Sequence, residues 1–271
     1  MNQYASTATL KPLSIIDLAA MKQRCEKISC LTAYDAGFSA LIDKVGVDVM
    51  LVGDSLGMVI QGHDTTLPVT IRDMVYHTRC VSNARQRAFI IADLPFMTYS
   101  TTVIAAKNAA KLMQIGGAQM VKLEGPRIEC VRFLVDQGIP VCGHLGLLPQ
   151  SINQLGGYKV QGKEKAAAEK LLADAHELQQ AGAGLLVLEC VPAALAKEIS
   201  LQLTIPVIGI GAGVDCDGQV LVLYDMLNIG TIKRPRFSRN FMTGAANIEE
   251  AISAYHQAVK QALFPTAEHS F

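Results

Sequence analysis

The sequence predicts an α/β protein, a (β/α)₈ barrel preceded by one extra helix. Half of its 271 residues are hydrophobic, and barrels of this type typically contain about 250 residues in one unit. Short apolar segments recur along the chain, and their continuous apolarity is typical of strands buried on both faces of a parallel sheet. Segments with helical periodicity separate them. We therefore expect eight strands that mostly alternate with helices, in one domain over residues 1–271.

Each predicted strand is rich in Val, Ile and Leu. The strands are expected at 28–35, 47–55, 88–96, 118–125, 139–147, 184–190, 206–213 and 219–227. Helical patterns cover 101–117 and 162–184, both ending at glycines, and further helices are expected at 14–26, before the barrel, and at 247–263. An open, doubly wound sheet is the alternative fold. It is disfavoured because no G-x-G-x-x-G pattern follows the first strand.

Charge and composition restrict the classes of partner. The chain has 24 basic and 24 acidic residues, so we expect neither nucleic acid nor a membrane as partner. The densest basic segment, 232–240, is interpreted as a solvated loop. No apolar run approaches the roughly 20 residues that cross a bilayer, and residues 1–14 lack the pattern of a secretory signal. None of the seven cysteines forms a Cys-x-x-Cys pair, which predicts reduced thiols and a cytoplasmic protein.

Polar residues lie near the carboxyl ends of most predicted strands. In chain order they are Asp35, Asp54, Asp93, Lys122, Glu124, His144 and Glu189. The carboxyl ends of the strands of a parallel barrel meet at one mouth, where catalytic residues collect. Buried carboxylates at such short distances cannot all be ionised unless a cation neutralises them. We therefore expect these residues to converge on one pocket.

Three of these carboxylates, Asp54, Asp93 and Glu124, suit Mg²⁺, which prefers oxygen ligands. Lys122 lies two residues before Glu124 and so on the same face of a strand, where it could bind a substrate carboxylate or stabilise an oxyanion. The alternative is a structural cluster in which Lys122 balances Glu124 and the aspartates cap helices.

Glu189 is the carboxylate with the most apolar sequence neighbours, in LLVLECVP. An apolar environment favours a carboxyl group that acts as a general base near neutral pH. The alternative is that Glu189 caps the helix that begins near Pro192. His144 could bind substrate or carry protons, or it could support other site residues.

Two loops carry glycine patterns. GIGAG, at 209–213, could bind a phosphate through its backbone amides or could only form a tight turn. GGYKVQGK, at 156–163, could close over a substrate or merely connect two elements.

Long motifs extend over nearly the whole chain. They are TAYD, VMLVGDSLGMVIQGHDTTLPVT, ADLPFM, MVKLEG, PVCGHLGLLPQSINQLGGYKVQG, LLVLECVP and IPVIGIGAG followed by DGQ. Together they resemble the ketopantoate hydroxymethyltransferase family. The resemblance implies a barrel related to the phosphoenolpyruvate/pyruvate-binding barrels. It also implies transfer of a one-carbon unit from 5,10-methylenetetrahydrofolate to 3-methyl-2-oxobutanoate, which gives 2-dehydropantoate in pantothenate biosynthesis.

The resemblance also assigns roles to residues. It implies one Mg²⁺ per subunit at Asp54, Asp93 and Glu124, and contacts of the keto acid with Asp54, Ser55, Asp93 and Lys122. It implies that Glu189 is the proton acceptor, so that the reaction passes through a Mg²⁺-stabilised enolate. Family members assemble as homodecamers. Another Mg²⁺-dependent keto-acid lyase or transferase of related barrels, and a catalytically inactive binding protein, are the alternatives.

Overall fold

A computed structural model of the chain describes residues 11–230 and 234–271. Its strands are β1 (Ile28–Thr32), β2 (Val49–Val52), β3 (Phe89–Asp93), β4 (Met120–Glu124), β5 (Val141–Gly146), β6 (Leu185–Glu189), β7 (Val207–Ile210) and β8 (Gly218–Leu221). Each strand pairs in parallel with the next, and β8 pairs with β1, which closes the barrel. The predicted (β/α)₈ barrel is confirmed.

Helices separate most of these strands, although the segment 211–217 between β7 and β8 contains none. They are α1 (Ile15–Gln23), α2 (Ala36–Val45), α3 (Leu56–Val59), α4 (Ile71–Ala84), α5 (Thr102–Gln114), α6 (Ile128–Asp136), α7 (Ile152–Leu155), α8 (Lys165–Gln180), α9 (Ala193–Gln202), α10 (Leu223–Met226) and α11 (Ile248–Lys260). The four helices predicted by residue range correspond to α1, α5, α8 and α11. Side-chain caps fix three of their starts, because Ser14, Thr101 and Asn247 each accept a hydrogen bond from a first-turn backbone N–H.

The prediction of a strand over 219–227 is wrong in its second half. The strand β8 ends at Leu221, and the chain continues as α10. The side-chain hydroxyl of Thr32 accepts a hydrogen bond from the Leu223 backbone N–H at 2.9 Å, which satisfies one of the free amides at the start of this helix. Leu223 and Met226 are then buried on one helical face. A short apolar run does not distinguish a buried strand from a buried helical turn.

The barrel strands are almost completely buried, as their continuous apolarity predicts. Around the barrel, Asp93 lies beside Lys122, Glu124 beside His144, and Gly146 beside Glu189. This register places the ends of β3 to β6 at one level of the mouth.

A charged cluster closes the opposite, amino-terminal end of the barrel. Asp48, just before β2, is buried, and its Oδ2 lies 2.7 Å from Lys260 Nζ at the end of α11. Its Oδ1 lies 3.1 Å from an Arg87 guanidinium nitrogen, and its Oδ2 accepts a hydrogen bond from the Ser29 backbone N–H at 3.0 Å. These contacts join α11 to the strand β1 and to the segments before β2 and β3.

The remaining compositional expectations concern cysteines and exposed segments. All seven cysteines are free thiols, and five of them are buried. No helix in the described part of the chain is both long and apolar enough to cross a bilayer. The expectation about residues 1–14 falls largely outside the described residues, and so does the beginning of the basic segment 232–240. In the described part of that segment, Arg234, Arg236 and Arg239 are exposed.

Candidate active site

The ends of β2, β3 and β4 bring four predicted site residues together. Asp54, Asp93, Lys122 and Glu124 are all at least 96 % buried, with exposed fractions of 4 %, 3 %, 4 % and 3 %. The Asp54 backbone N–H donates to Asp93 Oδ2 at 3.1 Å, and Lys122 Nζ lies 3.0 Å from Asp93 Oδ1. The direct ion-pair partner of Lys122 is therefore Asp93, rather than Glu124 as the structural alternative supposed.

Helix capping explains one of the three strand-end aspartates. Asp35 Oδ1 accepts the Phe38 backbone N–H at 2.8 Å and so caps α2. Asp54 and Asp93 have no such role, since α3 has no side-chain cap and α5 is capped by Thr101. Their carboxylates are thus available to the mouth of the barrel.

Gln150 links the carboxylates and was missed in the sequence analysis. It belongs to a short 3₁₀ helix, Pro149–Ser151, after β5, and is only 4 % exposed. Its Nε2 donates to Asp54 Oδ2 at 2.7 Å, and its backbone N–H donates to Glu124 Oε2 at 3.0 Å. The only local signal is a polar residue in a turn after a strand, and solvated turns share that signal.

His144 and Glu189 form the other half of the site. His144 Nε2 lies 3.2 Å from Glu189 Oε2, and His144 Nδ1 lies 3.3 Å from Lys122 Nζ and 3.6 Å from Glu124 Oε1. The helix α9 has no side-chain cap, so the capping interpretation of Glu189 is wrong. The side chain of Glu189 is 15 % exposed, compared with 3 % for His144, so Glu189 is the member of this pair that reaches toward the mouth.

Ser55 is held at the same mouth by Tyr34. The two side-chain hydroxyl oxygens lie 2.9 Å apart. Gly53 makes this approach possible, because a Cβ at that position would lie 2.8 Å from Ser55 Oγ and 3.5 Å from Asp93 Oδ2. Glycine is therefore needed where β2 ends beside two predicted substrate-binding residues.

Crowding of carboxylates dominates the electrostatics. Burial, together with the charges of Asp93 and Glu124, raises the pKa of Asp54 well above its ordinary value. Burial by itself lowers the pKa of Lys122, but Asp93, Glu124 and Asp54 reverse that effect and raise it, so Lys122 is an ammonium ion. Burial and Lys122 lower the pKa of His144, whereas hydrogen bonds to Glu124 and Glu189 raise it, with a net increase.

The segment 156–163 lies next to this site. The Tyr158 hydroxyl contacts Met58 Sδ at 3.6 Å, and burial and the charges of Glu189, Asp54 and Glu124 raise its pKa. The Gln161 backbone N–H donates to the carbonyl oxygen of Cys190 at 2.9 Å. The loop therefore borders the site, as expected of a segment that could cover a substrate.

The glycines of 209–213 serve a tight, packed turn. Gly211 and Gly213 have φ values of +62° and +87°, which favour glycine. Phe237 and Phe271 pack against Gly211, and Ala193 packs against Gly213. These contacts favour the turn interpretation over a phosphate site.

The site residues fit a hard divalent cation by their chemistry. Asp54, Asp93 and Glu124 supply only oxygen ligands, and Lys122 alone does not balance three carboxylates. Asp93 Oδ1 has no well-aligned hydrogen-bond donor in the described residues. No closed metal cage is formed among residues 11–230 and 234–271, since no three His, Cys, Asp or Glu side chains converge on one point. Mg²⁺ is compatible with this arrangement, because it usually binds one or two carboxylates and completes its shell with water and substrate oxygens.

Comparison with known proteins identifies the family. The pattern of the ketopantoate hydroxymethyltransferase family matches residues 12–267. The chain belongs to this family. It is 58 % identical over 265 residues to 3-methyl-2-oxobutanoate hydroxymethyltransferase of Alkalilimnicola ehrlichii, covering 97 % of this chain and 96 % of that protein. It is 60 % identical over 261 residues to the enzyme of the same name from Methylobacillus flagellatus, covering 96 % and 100 %.

Solved structures share the fold at low sequence identity. A 2,3-dimethylmalate lyase of the PEP mutase/isocitrate lyase superfamily has a TM-score of 0.57 and 16 % identity, with 78 % of this chain and 81 % of that chain covered. A phosphonopyruvate hydrolase in complex with oxalate and Mg²⁺ has a TM-score of 0.58 and 12 % identity, with 77 % and 80 % covered. These similarities concern the barrel fold alone.

Proposed function

We propose that this ketopantoate hydroxymethyltransferase family member transfers a hydroxymethyl group from 5,10-methylenetetrahydrofolate to 3-methyl-2-oxobutanoate. The product is 2-dehydropantoate, an intermediate of pantothenate biosynthesis. One observation carries the proposal beyond family membership. Three buried carboxylates and an ammonium group lie on one side of the mouth, and His144 connects them to the more exposed Glu189. This arrangement suits the removal of a proton from carbon next to a carbonyl group.

The proposed cofactor is one Mg²⁺ per subunit, held by Asp54, Asp93 and Glu124. When bound, it would supply a Lewis acid that polarises the keto group of the substrate and neutralises buried carboxylate charge. The support is the oxygen-only set of ligands and the excess of negative charge that raises the pKa of Asp54.

Lys122 and Ser55 are proposed to bind and orient the keto acid, together with Asp54 and Asp93. Lys122 is an ammonium ion in a water-poor environment, where it strongly stabilises negative charge that develops on a substrate oxygen. Ser55 can donate a hydrogen bond to the substrate while Tyr34 holds its side chain in place.

Glu189 is proposed to take the proton from C3 of the keto acid. The electron pair of the broken C–H bond delocalises toward the 2-oxo oxygen, and C3 then forms a bond to the methylene carbon of the folate. As this bond forms, one of the two bonds between that carbon and folate nitrogens breaks, and the released nitrogen receives the proton that Glu189 took. Water then displaces the second nitrogen, so that its oxygen becomes the new hydroxyl group and its proton passes to that nitrogen, and tetrahydrofolate leaves. His144, 3.2 Å from Glu189 Oε2, orients the carboxylate for this transfer.

The decisive experiment for this function is an assay of 2-dehydropantoate. We expect product only when the keto acid, 5,10-methylenetetrahydrofolate and a divalent metal are all present. Product formation without folate would favour another keto-acid lyase or transferase, an alternative that the family match does not favour. Absence of any turnover and of Mg²⁺-dependent keto-acid binding would instead indicate an inactive binding protein.

Replacing the proposed base tests the mechanism directly. We expect Glu189→Gln to lose deuterium exchange at C3 of the keto acid, measured by NMR without folate, by at least about 100-fold. Glu169→Gln is the matched control, because Glu169 is 67 % exposed on α8, and it should exchange at the wild-type rate. Wild-type exchange in Glu189→Gln would show that another group is the base.

A cytoplasmic location and assembly as a homodecamer complete the proposal. The location is supported by the seven free cysteines. The decamer is implied by the family resemblance and would be measured by sedimentation equilibrium.

A further inference from the structure

Gln150 makes an unusually complete set of contacts for a residue outside the predicted site. Its Nε2 donates to Asp54 Oδ2 at 2.7 Å and to the Leu94 carbonyl oxygen at 3.0 Å. Its Oε1 accepts a hydrogen bond from the Tyr99 hydroxyl. Its backbone N–H donates to Glu124 Oε2 at 3.0 Å. One buried residue thus contacts two of the three carboxylates.

These partners determine the orientation of the Gln150 amide. The Leu94 carbonyl oxygen is an acceptor only, so the amide nitrogen, which lies 3.0 Å from it, must face it and with it Asp54 Oδ2. Tyr99 donates to the amide oxygen, which fixes the opposite side. A flipped amide would place its oxygen against two acceptors and leave Tyr99 without its acceptor. The network therefore directs an amide N–H of Gln150 to Asp54.

The same pattern extends to all three carboxylates. One oxygen of each is held by an N–H group: Asp54 Oδ2 by the Gln150 amide, Glu124 Oε2 by the Gln150 backbone, and Asp93 Oδ2 by the Asp54 backbone. The other oxygen of Asp93, Oδ1, lies 3.0 Å from Lys122 Nζ, and Glu124 Oε1 lies 3.6 Å from His144 Nδ1. For the two carboxylates that Gln150 contacts, a donor on one oxygen favours coordination of a cation through the other oxygen.

We propose that Gln150 is a positioning residue that makes Asp54 and Glu124 one-oxygen ligands and thereby favours Mg²⁺ over Ca²⁺. Ca²⁺ takes 6–8 oxygens, often from carboxylates that contribute both of theirs, whereas Mg²⁺ requires a near-octahedral shell with few protein ligands. Tyr99 contributes indirectly, because its hydroxyl group donates to the Gln150 amide oxygen and so holds the amide in this orientation. This inference rests on the proposed metal site and adds its selectivity.

Competition with Mn²⁺ tests the proposal without turnover. Mn²⁺ binding is followed by the electron paramagnetic resonance signal of the free ion, and bound Mn²⁺ is displaced by Mg²⁺ or Ca²⁺. Gln150→Met removes the amide and keeps the backbone N–H. We expect Mg²⁺ affinity to fall about 10- to 100-fold, as for other residues that orient metal ligands, and the Mg²⁺/Ca²⁺ affinity ratio to fall at least about fivefold.

Two further variants separate positioning from general destabilisation. Tyr99→Phe removes one hydroxyl group and leaves every contact with the carboxylates in place, so we expect a smaller fall in the same ratio. Gln219→Met is the matched control, because Gln219 is also buried but donates to the Gly213 carbonyl oxygen at 2.9 Å, away from the carboxylates. Its Mg²⁺/Ca²⁺ ratio should equal that of the wild type even if its melting temperature falls.

The outcomes distinguish this inference from the proposed function. An unchanged Mg²⁺/Ca²⁺ ratio in folded Gln150→Met and in Tyr99→Phe overturns the positioning role, while the proposed metal site stands. Failure of Mg²⁺ to displace Mn²⁺ from the wild-type protein overturns the metal site itself and this inference with it.

Discussion

Lys122 is the single residue on which the charge balance of the site depends. It is buried, it lies 3.0 Å from Asp93, and its pKa is raised by Asp93, Glu124 and Asp54 against the opposite effect of burial. Removing one partner of an ion pair that is buried this completely costs free energy, because the remaining charge then has neither water nor an opposite charge beside it. Lys122 therefore stabilises the metal-free barrel as well as contributing to the proposed chemistry.

We expect Lys122→Met to lower the free energy of unfolding of the metal-free protein by about 3–5 kcal/mol at pH 7. The loss should shrink as pH falls, because Asp93, whose pKa burial already raises, binds a proton in the folded state before it does in the unfolded state. Guanidinium unfolding at several pH values measures both effects. Lys44→Met is the control, since the Lys44–Glu249 pair is exposed, and it should cost about 1 kcal/mol or less.

At the scale of elements, α11 closes the barrel opposite to the site. Tyr255 donates its hydroxyl hydrogen to the Cys30 and Gln219 carbonyl oxygens at 2.8 and 2.9 Å, and Lys260 reaches the buried Asp48. Burial by itself raises the pKa of Asp48, but Lys260, Ser29 and Arg87 hold it below its ordinary value of 3.8. The helix is thus attached to β1 and β8 by directed polar contacts as well as by apolar packing.

Replacement of Asp48 tests the attachment of α11. We expect Asp48→Asn to lower the free energy of unfolding by about 2–3 kcal/mol at pH 7, since it weakens hydrogen bonds to charged groups. A carboxyl group whose pKa is lower in the folded state stabilises above the unfolded value and loses that effect as pH falls through the folded value. The difference from wild type should therefore be full above pH 3.8, shrink below it, and disappear only once the pH is below the lowered pKa of folded Asp48.

Glu26 provides the comparison for this measurement. Glu26 Oε1 also lies near Lys260 Nζ, at 3.1 Å, but the side chain is 44 % exposed. Glu26→Gln should change the free energy of unfolding by about 1 kcal/mol or less. Equal effects of the two substitutions would show that burial of Asp48 is unimportant for the attachment of α11.

At the scale of the whole molecule, closure of the barrel assembles the site from β2 to β6. The site side chains at the carboxyl ends of these strands, from Asp54 to Glu189, lie close together because all carboxyl ends of a parallel barrel are at the same mouth. If Mg²⁺ binds there, it binds only to the folded chain, so it should stabilise the fold in proportion to its concentration.

The substitution Asp54→Ala tests whether Mg²⁺ binding stabilises the folded chain through this site. We expect Mg²⁺ at about 100 times its dissociation constant to raise the free energy of unfolding of the wild type by about 2.7 kcal/mol. The free energy of unfolding of Asp54→Ala should not change. Without metal the variant should still fold, because removing one of three crowded carboxylates relieves repulsion. Thermal unfolding with and without Mg²⁺ measures this, with Asp136→Ala, an exposed position on α6, as control. Equal Mg²⁺ stabilisation of Asp54→Ala would show that Asp54 is not a ligand.

The predictability of the site differs from residue to residue. Asp54, Asp93, Lys122 and Glu124 were found because a charged residue at the end of an apolar strand is conspicuous in a sequence. Gln150 and Tyr99 were not, because turn residues are commonly polar and their burial depends on which distant segment packs over them. The second half of 219–227 has the sequence pattern of a strand although it forms a helical turn, because apolar runs in a strand and in a buried helical turn look alike.

The sequence by itself determined the barrel, the family and the strand ends at which the proposed site lies. These follow from local periodicity, from the length of apolar runs and from long motifs, all of which are encoded by neighbouring residues. The tertiary structure alone decided that Lys122 pairs with Asp93, that Glu189 faces His144 instead of apolar side chains, and that Gln150 holds two carboxylates. The physical reason is that strand register and loop packing set the distances between residues up to about 100 positions apart, such as Asp54 and Gln150, and no local pattern contains that information.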